Sequence, residues 1–215
     1  MTNRKPFFYH VRPVLFAGSL NAAQVQGLDT LLTATESYPK NQRAYILATA
    51  YHETARTMQP IAEYGKGAGR RYGTWRTNSM GVCYCDTDGS GNKVYTENEY
   101  PHLYYGRGYV QLTWLKNYLK AGQALCDLGL IDDPQVLAKQ PNLAMQPEIA
   151  ATILVQGMQG GWFTGRRLSD YLTDTTSDYR NARRIINGTD RAAQLADYAV
   201  IFEQALNKMD WSRHD

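Results

Sequence analysis

Apolar residues recur with helical spacing over most of this chain and lose that spacing in the middle. Asn21, followed three residues later by Gln24, is the signature of a reciprocal cap and opens a helix with Val25, Leu28, Leu31 and Leu32 on one face. Ser37-Tyr-Pro39-Lys-Asn41 then breaks the chain and starts a second helix. In it Ala44, Leu47, Ala48 and Tyr51 recur at i, i+3, i+4 and i+7, the period of one buried face. Glu53 follows Tyr51 by two positions, about 200° further round, so it need not share that face. From Tyr64 to His102 the period disappears. Gly65, Gly67, Gly69, Gly73, Gly81, Gly89 and Gly91 separate polar and aromatic residues there. This pattern predicts loops and a short hairpin with Gly81–Cys85 and Lys93–Glu97 as strands.

Beyond Gly108 the helical spacing returns and holds to the end. A helix runs through Trp114, Tyr118 and Leu119, with Thr113 near its start, where a threonine also serves as an N-cap. Asp133-Pro134 and Gln146-Pro147 open two more, the second carrying Ile149, Ile153 and Leu154 and ending at Gly157, Gly160 and Gly161. Further helices are expected around Leu168 to Leu172, Tyr179 to Ile186 and Arg191 to Lys208. The last takes its core stripe from Leu195, Tyr198, Phe202 and Leu206. The fold class is therefore mainly α with a small β component.

Composition narrows the function classes. The 215 residues suffice for a real core, and a formal net charge of +3 without any basic run argues against nucleic acid as a partner. No run approaches the ~20 apolar residues of a membrane span. The apolar part of the first twenty residues is short and broken by His10, Arg12 and Pro13, which is not a secretory signal. Cys83, Cys85 and Cys126 are an odd number, read most simply as reduced thiols made in a cytoplasm. The 16 tyrosines fill loops and cores, and also suit stacking on sugar rings. Asp86, Asp88, Ser90, Gly91 and Glu97 stand at positions 1, 3, 5, 6 and 12 of a calcium-loop pattern. Their flanks are strand-like, however, and an Asp- and Gly-rich hairpin turn accounts for the same residues. No metal or cofactor is expected.

Candidate chemistry starts at Glu53. A carboxylate at a helix end, held against Tyr and Met side chains, would be partly desolvated and suited to give up a proton near neutral pH. A surface Glu closing a helix explains the same spacing. The motifs decide between them. Ala-Tyr-His-Glu-Thr (Ala50 to Thr54), Tyr-Tyr-Gly-Arg-Gly-Tyr-Val-Gln-Leu-Thr-Trp-Leu-Lys-Asn-Tyr (Tyr104 to Tyr118) and the Ile-Asn-Gly segment within Ala182 to Ala199 occur in one order. Together they resemble the plant-type chitinases and related phage endolysins of the lysozyme-like superfamily, over residues 40 to 205 with a poorly matched middle.

The resemblance implies a lysozyme-like fold, in which a helical lobe and a small loop and hairpin lobe (64–102) overhang a catalytic cleft. No internal repeat or low-complexity linker is evident, so one catalytic domain over 1–215 is expected, with no separate wall-binding module. Glu53 takes the place of the catalytic acid. In the chitinases the second carboxylate lies roughly twenty residues on, where this chain has Gly73-Thr-Trp-Arg76; in the phage lysins it lies about ten residues on, where Glu63 stands. Asp88, Glu97 and Glu99 are the substitutes. Thr113 matches the residue that orients the attacking water. Gln111 and Asn187 match contacts to acetamido sugars, while His52, Tyr105 and Arg107 are placed as cleft-lining residues. Arg183 and Arg184 either tune the carboxylates, pair with wall peptides or remain surface charges.

The expected activity is hydrolysis of peptidoglycan β-1,4 bonds by a monomeric lysin of muramidase type. It is expected to invert the anomeric centre, to accumulate in the host cytoplasm and to act on the wall from the periplasm. A chitinase and a non-catalytic glycan-binding protein are the competing expectations.

Overall fold

The computed structural model describes residues 3–67, 76–77, 83–84 and 104–209. It contains the helices α1 (Lys5–Leu15), α2 (Ala22–Ala34), α3 (Lys40–Glu53), α4 (Leu115–Asp127), α5 (Val136–Lys139), α6 (Pro147–Gly160) and α7 (Ala192–Asn207). Four two-residue strands, β1 (Ile61–Ala62), β2 (Arg76–Thr77), β3 (Cys83–Tyr84) and β4 (Arg107–Gly108), form two antiparallel pairs, β1 with β4 and β2 with β3. The chain divides into two compact units, one made of the chain up to Gln59 and from Gly157 onward, the other of Pro60–Gln156. Among the described residues no helix is long and apolar enough to cross a membrane.

The first unit is built around α3. The expected single buried face is an underestimate, because every residue from Asn41 to Tyr51 is buried. Packing by α7 and α2, and by the segment near residue 173, encloses the helix all round. Among the polar residues buried on this helix, Asn41 and Gln42 find partners in a distant segment. The Asn41 amide donates to the Thr173 and Thr176 carbonyls and to Ser177 Oγ, and the Gln42 amide donates to the Leu172 carbonyl at 2.9 Å. Tyr51 packs edge-on against Phe16, Tyr198 and Phe202, and its hydroxyl donates to the Leu15 carbonyl.

Helix α2 carries the expected cap in both directions. Asn21 Oδ1 accepts from the Gln24 amide at 2.8 Å, and Gln24 Oε1 accepts from the Asn21 amide at 3.0 Å. Its inner face is rotated from the expected one: Leu28, Leu31 and Leu32 are buried, while Val25 is 39% exposed. Gly27 takes the inner position instead, since a Cβ there would stand 1.7 Å from the Met58 carbonyl oxygen. The bulkier Val cannot occupy a contact that close.

Helix α1 was not expected, because Pro13 and the flanking charges obscured Phe7, Val11 and Leu15, which share one buried face at four-residue spacing. Pro6 sits in its first turn, where a missing N–H costs nothing, and Pro13 falls near its end. Phe7 stacks on Phe202 of α7 at 6.2 Å. Each such ring or Leu side chain removed from water contributes about 1.5–3 kcal/mol. Leu195, Phe202 and Leu206 form the α7 stripe as expected, with Ala199 and Ala205 buried beside them, whereas Tyr198 is only partly covered. The helices expected at 168–172 and 179–186 are 3₁₀ turns, Leu168–Asp170 and Asn181–Ile185. Asp170 and Asp178 accept from the Arg167 and Asn181 amides and set these tight starts.

In the second unit, Asp133 accepts from the Gln135 amide and opens the short α5, and Pro147 opens α6 as its sequence predicts. Tyr104 packs edge-on against Tyr118 of α4 and donates to the Ala138 carbonyl at 2.7 Å. Cys83–Tyr84 is extended, as expected, and pairs with Arg76–Thr77. Lys93–Glu97 and the candidate calcium loop Asp86–Glu97, together with Glu99, lie outside the described residues.

Candidate functional site

On the first unit the local fold fixes Glu53 at the last position of α3. Thr54 is fully buried; its hydroxyl donates to the Ala50 carbonyl at 2.7 Å and accepts from the Met58 amide at 3.1 Å, closing the helix and starting the turn. The chain then passes through Ala55, Arg56 and Met58 at φ 49°, 70° and 55°. Left-handed backbone in residues other than glycine costs on the order of 1 kcal/mol each, and it collects where a site needs a fixed turn. Here the turn is held from α2: Gln24 donates to the Arg56 carbonyl at 3.1 Å and Gln59 to the Ala23 carbonyl at 2.6 Å.

Glu53 meets a cation. Its Oε1 accepts from Arg183 Nη1 at 2.6 Å, with the arginine side chain 4% and the glutamate side chain 20% exposed. Arg183 Nε donates to the Asp190 carbonyl at 3.1 Å, so the guanidinium is fixed at two points. The expectation of Tyr and Met walls around Glu53 is corrected on this point: its hydrogen-bond partner is a guanidinium. A buried arginine is costly unless paired, and Glu53 supplies the pair. Glu53 Oε2 has no hydrogen-bond partner among the described residues.

The groups around this pair are polar and largely enclosed. His52 is part-buried; burial pulls its pKa below the usual histidine range, against the opposing pull of Glu53. Thr49 and Tyr45 lie one and two turns back from Glu53 along the same side of α3, and their hydroxyls are buried without partners among the described residues. Burial pushes the Tyr45 hydroxyl well up, against the nearby Arg183 charge. Asn187 is exposed; its amide donates to the Arg183 carbonyl at 3.0 Å and its Oδ1 accepts from the Gly188 amide at 2.9 Å. The Ile-Asn-Gly turn thus braces the arginine. Arg184 is exposed and takes no part in the pair.

On the second unit Glu63 follows β1 and is tied to the wall that includes β4. Its amide donates to the Gly106 carbonyl at 2.7 Å, and the Gly106 amide donates back to Glu63 Oε2 at 3.0 Å. A Cβ on Gly106 would lie 2.7 Å from Gln111 Oε1, so a side chain there would have to push the Gln111 amide aside. Gln111 itself has φ 53° and donates to the Ile61 carbonyl at 3.1 Å, bracing β1 from within.

Thr113 is part-buried, and its hydroxyl has no partner among the described residues. It does not cap α4: the N-cap is Trp114, at φ 71°, with no side-chain cap bond. The Thr113 carbonyl accepts from Asn117 at 2.7 Å, which fixes its backbone and leaves the hydroxyl for another ligand. Arg107, expected to line the site, is buried. Its guanidinium donates to Asn142 Oδ1 at 2.9 Å, to Tyr118 Oη at 3.0 Å and to the Tyr105 carbonyl at 3.2 Å. It also covers one face of the part-exposed Tyr105 ring, 3.5 Å from its centroid. Arg107 therefore stiffens the wall from behind, and Asn142 and Tyr118 are the partners that sequence reasoning missed. The Asn-Tyr end of the second motif was the only signal for Tyr118, and Asn142 had none.

The mainly helical chain with small antiparallel pairs, in which a helix-end glutamate pairs with a buried arginine, has a lysozyme-like fold. Residues 17–160 match the chitinase class I family, and the chain belongs to it, glycoside hydrolase family 19. Glu53, Glu63, Gln111 and Thr113 fall inside the matched span, whereas Arg183 and Asn187 fall beyond it. The fold is similar to that of chitinase C from Streptomyces griseus HUT6037, with a TM-score of 0.56 at 21% identity over 96% of this chain and 76% of that one. In sequence the chain is 24% identical to endochitinase A2 of Pisum sativum over 177 residues, 74% of this chain and 52% of the relative. It is 31% identical to the acidic endochitinase of Dioscorea japonica over 114 residues, 50% of this chain and 40% of the relative. The chain thus spans about half the length, or less, of these curated relatives.

Proposed function

We propose that this chain hydrolyses β-1,4 bonds of the peptidoglycan glycan, on the muramic acid side, as an endolysin. In this reading Glu53 gives its proton to the leaving glycosidic oxygen. Glu63 takes a proton from the attacking water, whose oxygen forms the new bond to the anomeric carbon, and the Thr113 hydroxyl orients that water. An acid and a separate water-activating base make this reading an inverting one. The carrying observation is the Glu53–Arg183 contact at 2.6 Å, which fixes the helix-end carboxyl group in one orientation. The return bond from Gly106 does the same for Glu63. Peptidoglycan is favoured because the second carboxylate stands ten residues after the first, as in the phage lysins of the resemblance. We place the protein in the host cytoplasm before release, acting on the wall as a monomer; the free thiol of Cys126 accords with that compartment.

A chitinase is the second reading, supported by the relatives' being endochitinases. Purified peptidoglycan and chitin, each digested and analysed by mass spectrometry of the new reducing ends, separate the two. The peptidoglycan reading expects N-acetylmuramic acid reducing ends. Soluble N-acetylglucosamine oligomers from chitin, with peptidoglycan uncut, would establish the other.

A further inference from the structure

On the first unit, the turn after α3 and the start of α7 enclose a cavity of about 240 Å³ that the proposed chemistry does not use. Tyr51, His52, Arg56, Arg191, Gln194 and Tyr198 line it. Its two arginines are separate from the Glu53–Arg183 pair, and both stand in left-handed backbone, Arg56 at φ 70° and Arg191 at φ 54°. Glycine or asparagine would relieve that strain, so long cationic side chains at both positions are not what the backbone prefers. Among the described residues neither charge has a strong internal partner: Arg56 stands 5.8 Å from the centroid of the Tyr51 ring, and Arg191 reaches Asp190 at 3.9 Å, with the side chains of that ion pair largely exposed. An exposed pair at that distance contributes little and leaves Arg191 available. Gln194 Nε2 donates to Tyr198 Oη at 2.9 Å, which orients the hydroxyl so that its own proton remains for a ligand. The cavity thus presents two cationic forks and a hydroxyl beside aromatic rings, one residue away from the proposed acid.

We infer that this cavity is a subsite for a carboxylate of the peptide stem attached to the glycan. The inference rests on the peptidoglycan reading above and deepens it, since chitin carries no such group. Guanidinium forks match carboxylates in geometry as well as charge, and the tyrosine faces accommodate the short apolar parts of a peptide.

The test uses the full chain carrying Glu53→Gln, so that no bond is cut, titrated with N-acetylmuramyl-L-alanyl-D-glutamate and followed by amide and arginine side-chain NMR. The diacid should shift the Arg56 and Arg191 signals, and its dimethyl ester should not. Arg56→Asn and Arg191→Asn, which suit the left-handed backbone, should together weaken diacid binding about tenfold, as expected for losing charge-assisted bonds. Lysine at both positions should restore part of it. Equal shifts from the ester, or shifts that bypass both arginines, would overturn the subsite even if the wild-type chain cuts peptidoglycan. Conversely, diacid binding at these arginines, together with a wild-type chain that leaves peptidoglycan uncut, would sustain the subsite and remove the hydrolytic reading.

Discussion

The two proposed catalytic carboxylates are held by opposite means. Glu53 ends a helix that is buried all round, and a guanidinium 130 residues away in sequence holds it at 2.6 Å. Glu63 follows a two-residue strand, and a neutral backbone amide holds it at 3.0 Å. A charge partner fixes an orientation strongly but ties the carboxyl group to a second buried charge. A backbone amide fixes an orientation with little charge and depends on a glycine's close approach. Both arrangements join segments distant in sequence, 130 residues apart in the first and 43 in the second. The two positions should therefore fail differently when altered.

The largest effect is expected at Glu53. Glu53→Gln keeps an oxygen for Arg183 but has no proton to give, and should lower peptidoglycan hydrolysis by about 10²–10⁴-fold; it also leaves the buried guanidinium without a counter-charge, so Tm should fall as well. Removing the other partner separates chemistry from stability. Arg183→Ala leaves Glu53 unpaired beside a space the guanidinium filled, and should cost about 3 kcal/mol, at the low end for a broken buried pair because Glu53 is partly exposed. For a chain of this length that is a fall of about 6–12 °C in Tm, measurable by calorimetry. An Arg183→Ala protein as stable as wild type would show that the pair is not a structural tie.

Glu63→Gln should be milder, about 10²-fold in kcat, because water still attacks slowly without a base and the amide oxygen can still accept from Gly106. Next comes Thr113. Thr113→Val keeps the branched shape and should lose about 10- to 100-fold, while Thr113→Ser keeps most of the activity. Since Thr113 makes no cap bond to α4, a large stability loss in the Val variant is not expected. The smallest effect is expected at Thr49. Its hydroxyl is buried without a partner among the described residues, so Thr49→Val should leave Tm unchanged or raise it slightly.

Much of the fold and of the site is legible in residue patterns, for identifiable reasons. The Asn21–Gln24 cap is a local signal, and both of its hydrogen bonds follow from it. The position of Glu53 at the end of α3 also follows from local spacing. The all-round burial of α3 does not, because Asn41 and Gln42 look like surface residues until carbonyls from residues 172 to 176 close on them. Arg107 misleads for the same reason: a charged residue flanked by glycines reads as exposed, and only the distant Asn142 and Tyr118 explain its burial. The partner of Glu53 needs the motif resemblance, since nothing local links a helix end to residue 183. Helix α1 is concealed by a proline at a position where a helix tolerates it.

The division of labour between the two carboxylates is tested most directly by the anomeric form of the first sugar released. Proton NMR of a peptidoglycan oligomer, recorded within the first minutes of digestion and before mutarotation, reads that configuration at the new reducing end. An acid at Glu53 and a water-activating base at Glu63 predict the α-anomer, by inversion. A first-formed β-anomer would mean retention, and would contradict the role of Glu63 as the base.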